Sequence, residues 1–214
     1  MTRLHLIRHG ETELGREGRA QGHSEVGLND NGRRQALQLA EALAGGGQKF
    51  SGLYSSDLPR ARETAEVVAA AFPGLAVSDD ARLREKDPGR LAGLNRFEMQ
   101  RRWPEWWLAN QLAPGSTRAP GGESFEDLQA RLLPAIEEMA DAHPEGDIAV
   151  VTHGGPIKVL VCHTLGLSLD GVDLLALDHC RVTVIEWGPS PRLISFNCPQ
   201  TLTQASSAAS AAKP

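Results

Sequence analysis

Strands and helices alternate along this chain, which predicts an α/β fold: a three-layer α/β/α sandwich with a mostly parallel sheet, helices on both faces and a small helical cap insertion. Three observations carry that expectation. A short apolar run at Leu4, Leu6 and Ile7 and a fully apolar, β-branched run at 148–152 read as buried strands. Each ends on a histidine followed by glycine, His9-Gly10 and His153-Gly154. The intervening stretches carry apolar residues at helical spacing, bounded by capping residues, proline and glycine.

Taken in order, Leu4, Leu6 and Ile7 predict a first strand stopping at Arg8-His9-Gly10. Asn29 or Asp30 caps a helix carrying Ala36, Leu39, Ala40 and Leu43, and Gly45-Gly46-Gly47 stops it. Residues 52–55 read as a second strand, and Asp57-Leu58-Pro59 starts a helix with Ala65, Val68, Ala69 and Phe72 on one face. Residues 75–77 read as a third strand. The pattern loosens over 91–122, where Trp103, Trp106 and Trp107 crowd together and Pro104, Pro114 and Pro120 interrupt. This is the cap insertion, and the tryptophans are read as its small core, a pocket wall for a ring-shaped substrate being the other reading. Ser124 then caps a long helix with Leu128, Leu132, Ala135, Ile136 and Met139, and a helix through Val159, Leu160 and His163 follows the 148–152 strand. Val182, Val184 and Ile185, then Leu193 and Ile194, predict two closing strands. One domain over 1–200, with the insertion at about 91–122, is the simplest organisation, and the Ala- and Ser-rich stretch 201–214 reads as a disordered tail.

The bulk composition narrows the function. With 41% hydrophobic and 23% charged residues over 214, the chain is an ordinary globular protein with one core. A formal net charge of −5 argues against a nucleic-acid partner. No run approaches a membrane span and the first residues lack a signal-peptide pattern, so a cytoplasmic protein with no membrane partner is expected. Three scattered cysteines fit reduced thiols. An anionic ligand must therefore be drawn by a local basic cluster.

Such a cluster is legible. In open α/β sheets ligands sit beyond the carboxyl ends of the strands, so His9 and His153 should face one crevice. Arg8 precedes His9, and Arg60 lies in the first turn of the helix after the second strand. A guanidinium fork matches two phosphate oxygens, and a helix N-terminus adds backbone donors. Two arginines and two histidines around one anion make a phosphoryl site. Glu85, in Leu83-Arg84-Glu85, could supply the proton for a leaving alkoxide. His5, His23, His143, His163 and His179 are read as structural or exposed, His23 being the best placed to line the pocket. None has metal-ligand spacing.

The run Leu6-Ile7-Arg8-His9-Gly10-Glu11-Thr12 resembles the signature of the histidine phosphatase superfamily, which includes the cofactor-dependent phosphoglycerate mutases. Gln21-Gly22-His23, Leu28-Asn29, Ser55 with Asp57-Leu58 and Arg60-Ala61, Leu83-Arg84-Glu85, Gly121-Gly122-Glu123-Ser124 and Thr152-His153-Gly154-Gly155 extend the resemblance over roughly residues 3–165. It implies a phosphoglycerate mutase-like fold and a metal-independent phosphatase without cofactor, acting on a small phosphorylated metabolite. His9 would become phosphorylated, Arg8, Arg60 and His153 would hold the phosphoryl group, and Glu85 would be the general acid and base. Thr12, Gln21, Gly22 and Gly154 would border the substrate. Leu14-Gly15 replaces a Trp-Asn pair common among relatives, and Leu91-Ala92 a Trp-Glu pair. The segment from Glu85 to His153 looks shorter than in the mutases, which favours hydrolysis over mutase activity. A non-catalytic phosphate-binding regulator is the remaining alternative.

Overall fold

A computed structural model describes residues 1–199, so the predicted tail lies outside the described residues. Six strands form a single sheet: β1 (Thr2–Arg8), β2 (Gly52–Ser55), β3 (Val77–Asp79), β4 (Asp147–Thr152), β5 (Val182–Trp187) and β6 (Arg192–Cys198), in the order β3-β2-β4-β1-β5-β6. Pairings from β3 to β1 are parallel, whereas β5 and β6 are antiparallel. The helices are α1 (Glu13–Arg16), α2 (Asp30–Gly45), α3 (Pro59–Ala70), α4 (Arg96–Arg102), α5 (Pro104–Leu112), α6 (Phe125–Asp141) and α7 (Gly154–Leu165).

Local chemistry explains the boundaries. The Asn29 side chain accepts from Gly32 N at 2.8 Å and starts α2. Ser124 caps α6 and Asp127 bonds back to its N–H, closing a capping box. Pro59, whose missing N–H costs nothing in a first turn, opens α3. Gly166, at φ 65°, ends α7.

Successive strand residues point to opposite faces, so each central strand feeds two cores. Leu4 and Leu6 of β1 and Ile148 and Val150 of β4 pack with Leu128, Leu132 and Ile136 of α6 and Leu160 of α7. Ile7, Ala149 and Val151 face the other way, onto Leu39 of α2 and Ala61, Ala65 and Val68 of α3. The central strands are therefore buried on both sides, which is why β4 reads as a continuous apolar run and why even His5 of β1 is buried.

Two expectations need correction. The third strand starts at Val77, not Leu75. Leu75 N still bonds Phe72 O in the turn around Gly74 (φ 87°), and pairing with β2 begins at Leu53 opposite Val77. In the predicted cap, α4 and α5 meet at Trp103, yet neither helix contains a buried residue. Trp106 and Trp107 pack edge to face with centroids 6.4 Å apart, and Arg96 lies over Trp107, so the cluster is a half-buried surface stack and not a core. The one-turn helix α1 and the 3₁₀ segment Leu169–Leu174 were not foreseen. Among the described residues no helix is long and apolar enough to cross a membrane.

Candidate active site

Sheet register brings the two histidines together. Arg8 of β1 pairs with Thr152 of β4, so the next residue of each strand, His9 and His153, emerges at the same point. Their ring centroids are 5.1 Å apart. Beside them β2 ends opposite Val151, and Ser56 follows, its hydroxyl 2.8 Å from His153 Nε2.

His9 is buried, and its Nδ1 lies 2.7 Å from Gly10 O. A carbonyl only accepts, so Nδ1 carries the proton and Nε2 keeps its lone pair. Burial, and after it the charges of Arg60 and Arg8, hold both imidazoles well below the ordinary histidine range. Both rings are thus neutral at physiological pH.

Arg60 is fully buried at the start of α3, donating to Gly22 O (2.6 Å) and Ser24 O (3.1 Å). Burial lowers its pKa to about 10, which leaves it cationic. Arg8 donates to Leu177 O and is likewise lowered by burial. Neither guanidinium forms an ion pair among the described residues. Arg8 Nε, Arg60 Nε and His153 Nδ1 are all buried without a hydrogen-bond partner among the described residues. Buried donors are nearly always satisfied, so three orphans in one crevice mark a place built for an acceptor.

Glu85 approaches from the loop before the cap. Its carboxylate accepts from Gly155 N, 3.1 Å from each oxygen, at the first turn of α7, and from Lys86 N at 2.8 Å. Arg131 of α6 fixes this loop by donating to the carbonyls of Arg82, Arg84 and Glu85 while held by Glu123. A cavity of about 540 Å³ opens at His9, with His153 buried beneath it. Arg8, His9, Gln21, Gly22, Arg60, Glu85 and Gly154 line it, together with Lys86, Phe125, Lys158 and the segment 175–177. Gly22, at φ 48°, has no room for a side chain, because a Cβ would stand 1.9 Å from Pro88.

The predicted residues therefore converge, although Thr12 and His153 are not part of the cavity wall, His153 lying directly against His9. Thr12 is fully buried behind the cavity, donating to Gln21 Oε1 at 2.8 Å and capping α1 through Gly15 N, so it orients Gln21 instead of lining the site. His23 bonds Glu85 O at 2.8 Å and does not line the cavity either. The sequence reading missed Ser56, Arg131, Lys86, Lys158 and the 175–177 wall, and it took His179, whose ring lies 5.3 Å from that of His9, as structural or exposed. Ser56 alone had a signal, as the residue just past a parallel strand.

A strand-end crevice holding two arginines and two neutral imidazoles around unsatisfied donors can bind a phosphoryl group and present a nucleophilic nitrogen to it. The chain belongs to the histidine phosphatase superfamily (branch 1), whose sequence pattern matches residues 4–198. It is similar to phosphoglycerate mutase-like protein 4 of Arabidopsis thaliana, 43% identical over 156 residues that cover 72% of this chain and 67% of that protein. It is also similar to a metal-independent phosphoserine phosphatase of the same plant, 37% identical over 75% of this chain and 67% of that protein. Among solved structures, a mycobacterial glucosyl-3-phosphoglycerate phosphatase superposes with a TM-score of 0.82 at 32% identity, covering 92% of this chain and 99% of that one.

Proposed function

We propose that this protein is a phosphatase that hydrolyses phosphate monoesters of small metabolites through a phosphohistidine on His9. His9 Nε2 attacks phosphorus, Glu85 gives a proton to the departing alkoxide, and the alcohol leaves. Glu85 then takes a proton from water, whose oxygen attacks the phosphohistidine and releases phosphate. Arg8, Arg60 and His153 hold the equatorial oxygens throughout. The Ser56 hydroxyl can donate to His153 Nε2, which leaves the orphan Nδ1–H for a phosphoryl oxygen. Gln21, Gly22 and Gly154 border the ester, and no step uses a metal or cofactor. The observation that carries this reading is the group of buried, unpartnered donors around an imidazole whose Nε2 is free.

The cavity wall says more about the substrate. Arg19 is engaged by Glu17 and Glu98, but Lys86 and Lys158 line the cavity with no ion-pair partner among the described residues. Lys86 lies over Phe125, and burial lowers its pKa. Half-buried ammonium groups with no close ion pair are costly unless a ligand supplies an anion, and Glu85, Asp173 and Glu123 only partly offset the burial of Lys86. The substrate we infer is a phosphate monoester with a second anionic group a few ångströms from the first. The cytoplasm is the proposed compartment, and with an overall charge of −5 no nucleic-acid partner is proposed.

Brief exposure to substrate followed by denaturation should leave acid-labile phosphate on the protein. Phosphate release should be faster from 3-phosphoglycerate than from glycerol 3-phosphate, and the K86M/K158M double variant should erase that preference. Isomerisation of phosphoglycerate without net phosphate release would instead make the protein a mutase. Absence of both turnover and phosphoenzyme across a broad panel would leave a phosphate-binding module.

A further inference from the structure

We propose that His179 is a further phosphoryl-contacting residue: its Nε2 and the Gln21 amide form a niche over Gly15 that takes one oxygen of the bound phosphoryl group. This rests on the phosphatase reading above. His179 sits in the turn before β5, and its Nδ1 lies 2.9 Å from His9 O. Its ring centroid is 5.3 Å from that of His9, so His9 is flanked by two imidazoles, His153 and His179. With Nδ1–H given to a carbonyl, Nε2 has no hydrogen bond among the described residues.

That nitrogen looks onto a missing side chain. The point where a Cβ would stand on Gly15 lies 3.0 Å from Gln21 Nε2, 3.0 Å from Thr12 Oγ1 and 3.7 Å from His179 Nε2. Three polar atoms thus converge on a space that any other residue at position 15 would fill. The Thr12 hydroxyl is already committed, donating to Gln21 Oε1 and accepting from Gly15 N. Its bond to Gln21 Oε1 turns the Gln21 amide nitrogen, a donor, towards the niche. Gln21 also lines the cavity beside Arg8 and His9, so the niche meets the reacting end through Gln21, while His179 stands between that cavity and a neighbouring one lined by Asn31 and Arg181.

A neutral His179 would turn a lone pair to an anionic oxygen, so the ring must gain a proton as the phosphoryl group binds. In the free protein burial and Arg8 oppose that proton, while Glu11 and Asp178 favour it. His9 and, in the same turn, Arg181 are the other ionisable neighbours. A bound dianion adds the missing countercharge and tips the balance. Phosphoryl binding should therefore be coupled to proton uptake at His179.

The test uses the full chain and inorganic phosphate as the probe, measured by calorimetry in two buffers of different ionisation enthalpy, beside turnover of p-nitrophenyl phosphate. At pH 6 H179A should weaken phosphate binding about tenfold, the loss of one charge-assisted hydrogen bond. It should raise KM similarly, abolish the linked proton uptake and leave the melting temperature near that of the wild type. H179Q should keep most of the affinity without the proton uptake, and it carries the comparison if H179A does not fold. Adding G15N to H179A should restore part of the affinity by placing an amide in the niche. Wild-type affinity and proton uptake retained in H179A or H179Q would overturn the role of His179 alone. A wild-type protein that neither binds phosphate nor turns over would overturn the phosphatase reading, and this inference with it.

Discussion

The crevice at the ends of β1, β2 and β4 and the helical pair α4–α5 are built by opposite rules. In the crevice the polar groups are the buried ones: His9, Ser56, Arg60 and His153 are all closed off from solvent, with donors left unsatisfied. In the pair, apolar groups are the exposed ones, with Phe97, Leu108 and Leu112 facing outwards. The crevice gives up stability to hold charge and lone pairs ready, the arrangement from which electrostatic catalysis draws most. In the helical pair Trp106 Nε1 is also buried without a partner among the described residues, but neither helix buries a titratable side chain. No residue of 91–122 lines the cavity, so the tryptophans do not form the pocket wall that was their alternative reading. The walls come instead from 19–22, 85–88, Phe125, Lys158 and 175–177.

If the crevice holds the chemistry, changes there should act on rate far more than on fold. His9→Ala should lower turnover by about 100,000-fold or more while far-UV circular dichroism and melting temperature stay close to wild type. Residual activity within tenfold of wild type would remove His9 from the reaction. Next in size, Glu85→Gln should cost about 100- to 10,000-fold in kcat for an alkyl phosphate. It should cost much less for p-nitrophenyl phosphate, whose leaving group needs no proton. Equal losses on both substrates would assign Glu85 to positioning and not to proton transfer.

The same contrast explains what could be read in advance. His9 and His153 were legible because each ends an apolar strand run, and the ends of adjacent parallel strands must converge. Asn29 and Ser124 were legible because capping chemistry is local. His179 was not, since it reaches His9 only through a turn that depends on β1 pairing with β5, where Cys180 N bonds Arg8 O. The 175–177 wall is equally non-local, coming in through the Leu177 carbonyl that Arg8 holds. Thr12 was misplaced because a hydroxyl near a phosphate signature can serve as a helix cap and a brace for Gln21 just as well as a ligand contact.

A smaller effect separates the two regions by pH. His9 and His153 stay neutral in the fold well below the ordinary histidine value of about 6.5, at which the unfolded chain takes up protons. Below that value the unfolded state binds more protons than the native state, so stability falls with pH. The slope approaches about 1.4 kcal/mol per pH unit for each imidazole. The carboxylates held low by their partners, such as Asp57 beside Arg84 and Asp127 at the Ser124 cap, add losses only at still lower pH. The melting temperature should therefore drop by several degrees between pH 7 and pH 5. His153→Asn should flatten that slope. A wild-type melting temperature independent of pH over this interval would mean that the crevice is not the strained region claimed.

The weakest effect belongs to the helical pair. Trp107→Ala removes the edge-to-face contact with Trp106 and the seat of the Arg96 guanidinium, interactions worth about 0.5–1.5 kcal/mol at a half-buried position. Since Trp107 does not line the cavity, kcat/KM on p-nitrophenyl phosphate and on 3-phosphoglycerate should both stay within about twofold of wild type, a change of only about 0.4 kcal/mol at the barrier. Limited proteolysis should instead become faster within 91–122, because loosening a surface stack opens its own segment first. A tenfold rise in KM for 3-phosphoglycerate alone would mean that α4–α5 closes over the larger substrate during turnover. The helical pair would then belong to the site, and the division between a prepared crevice and an indifferent surface would fail at its weaker side.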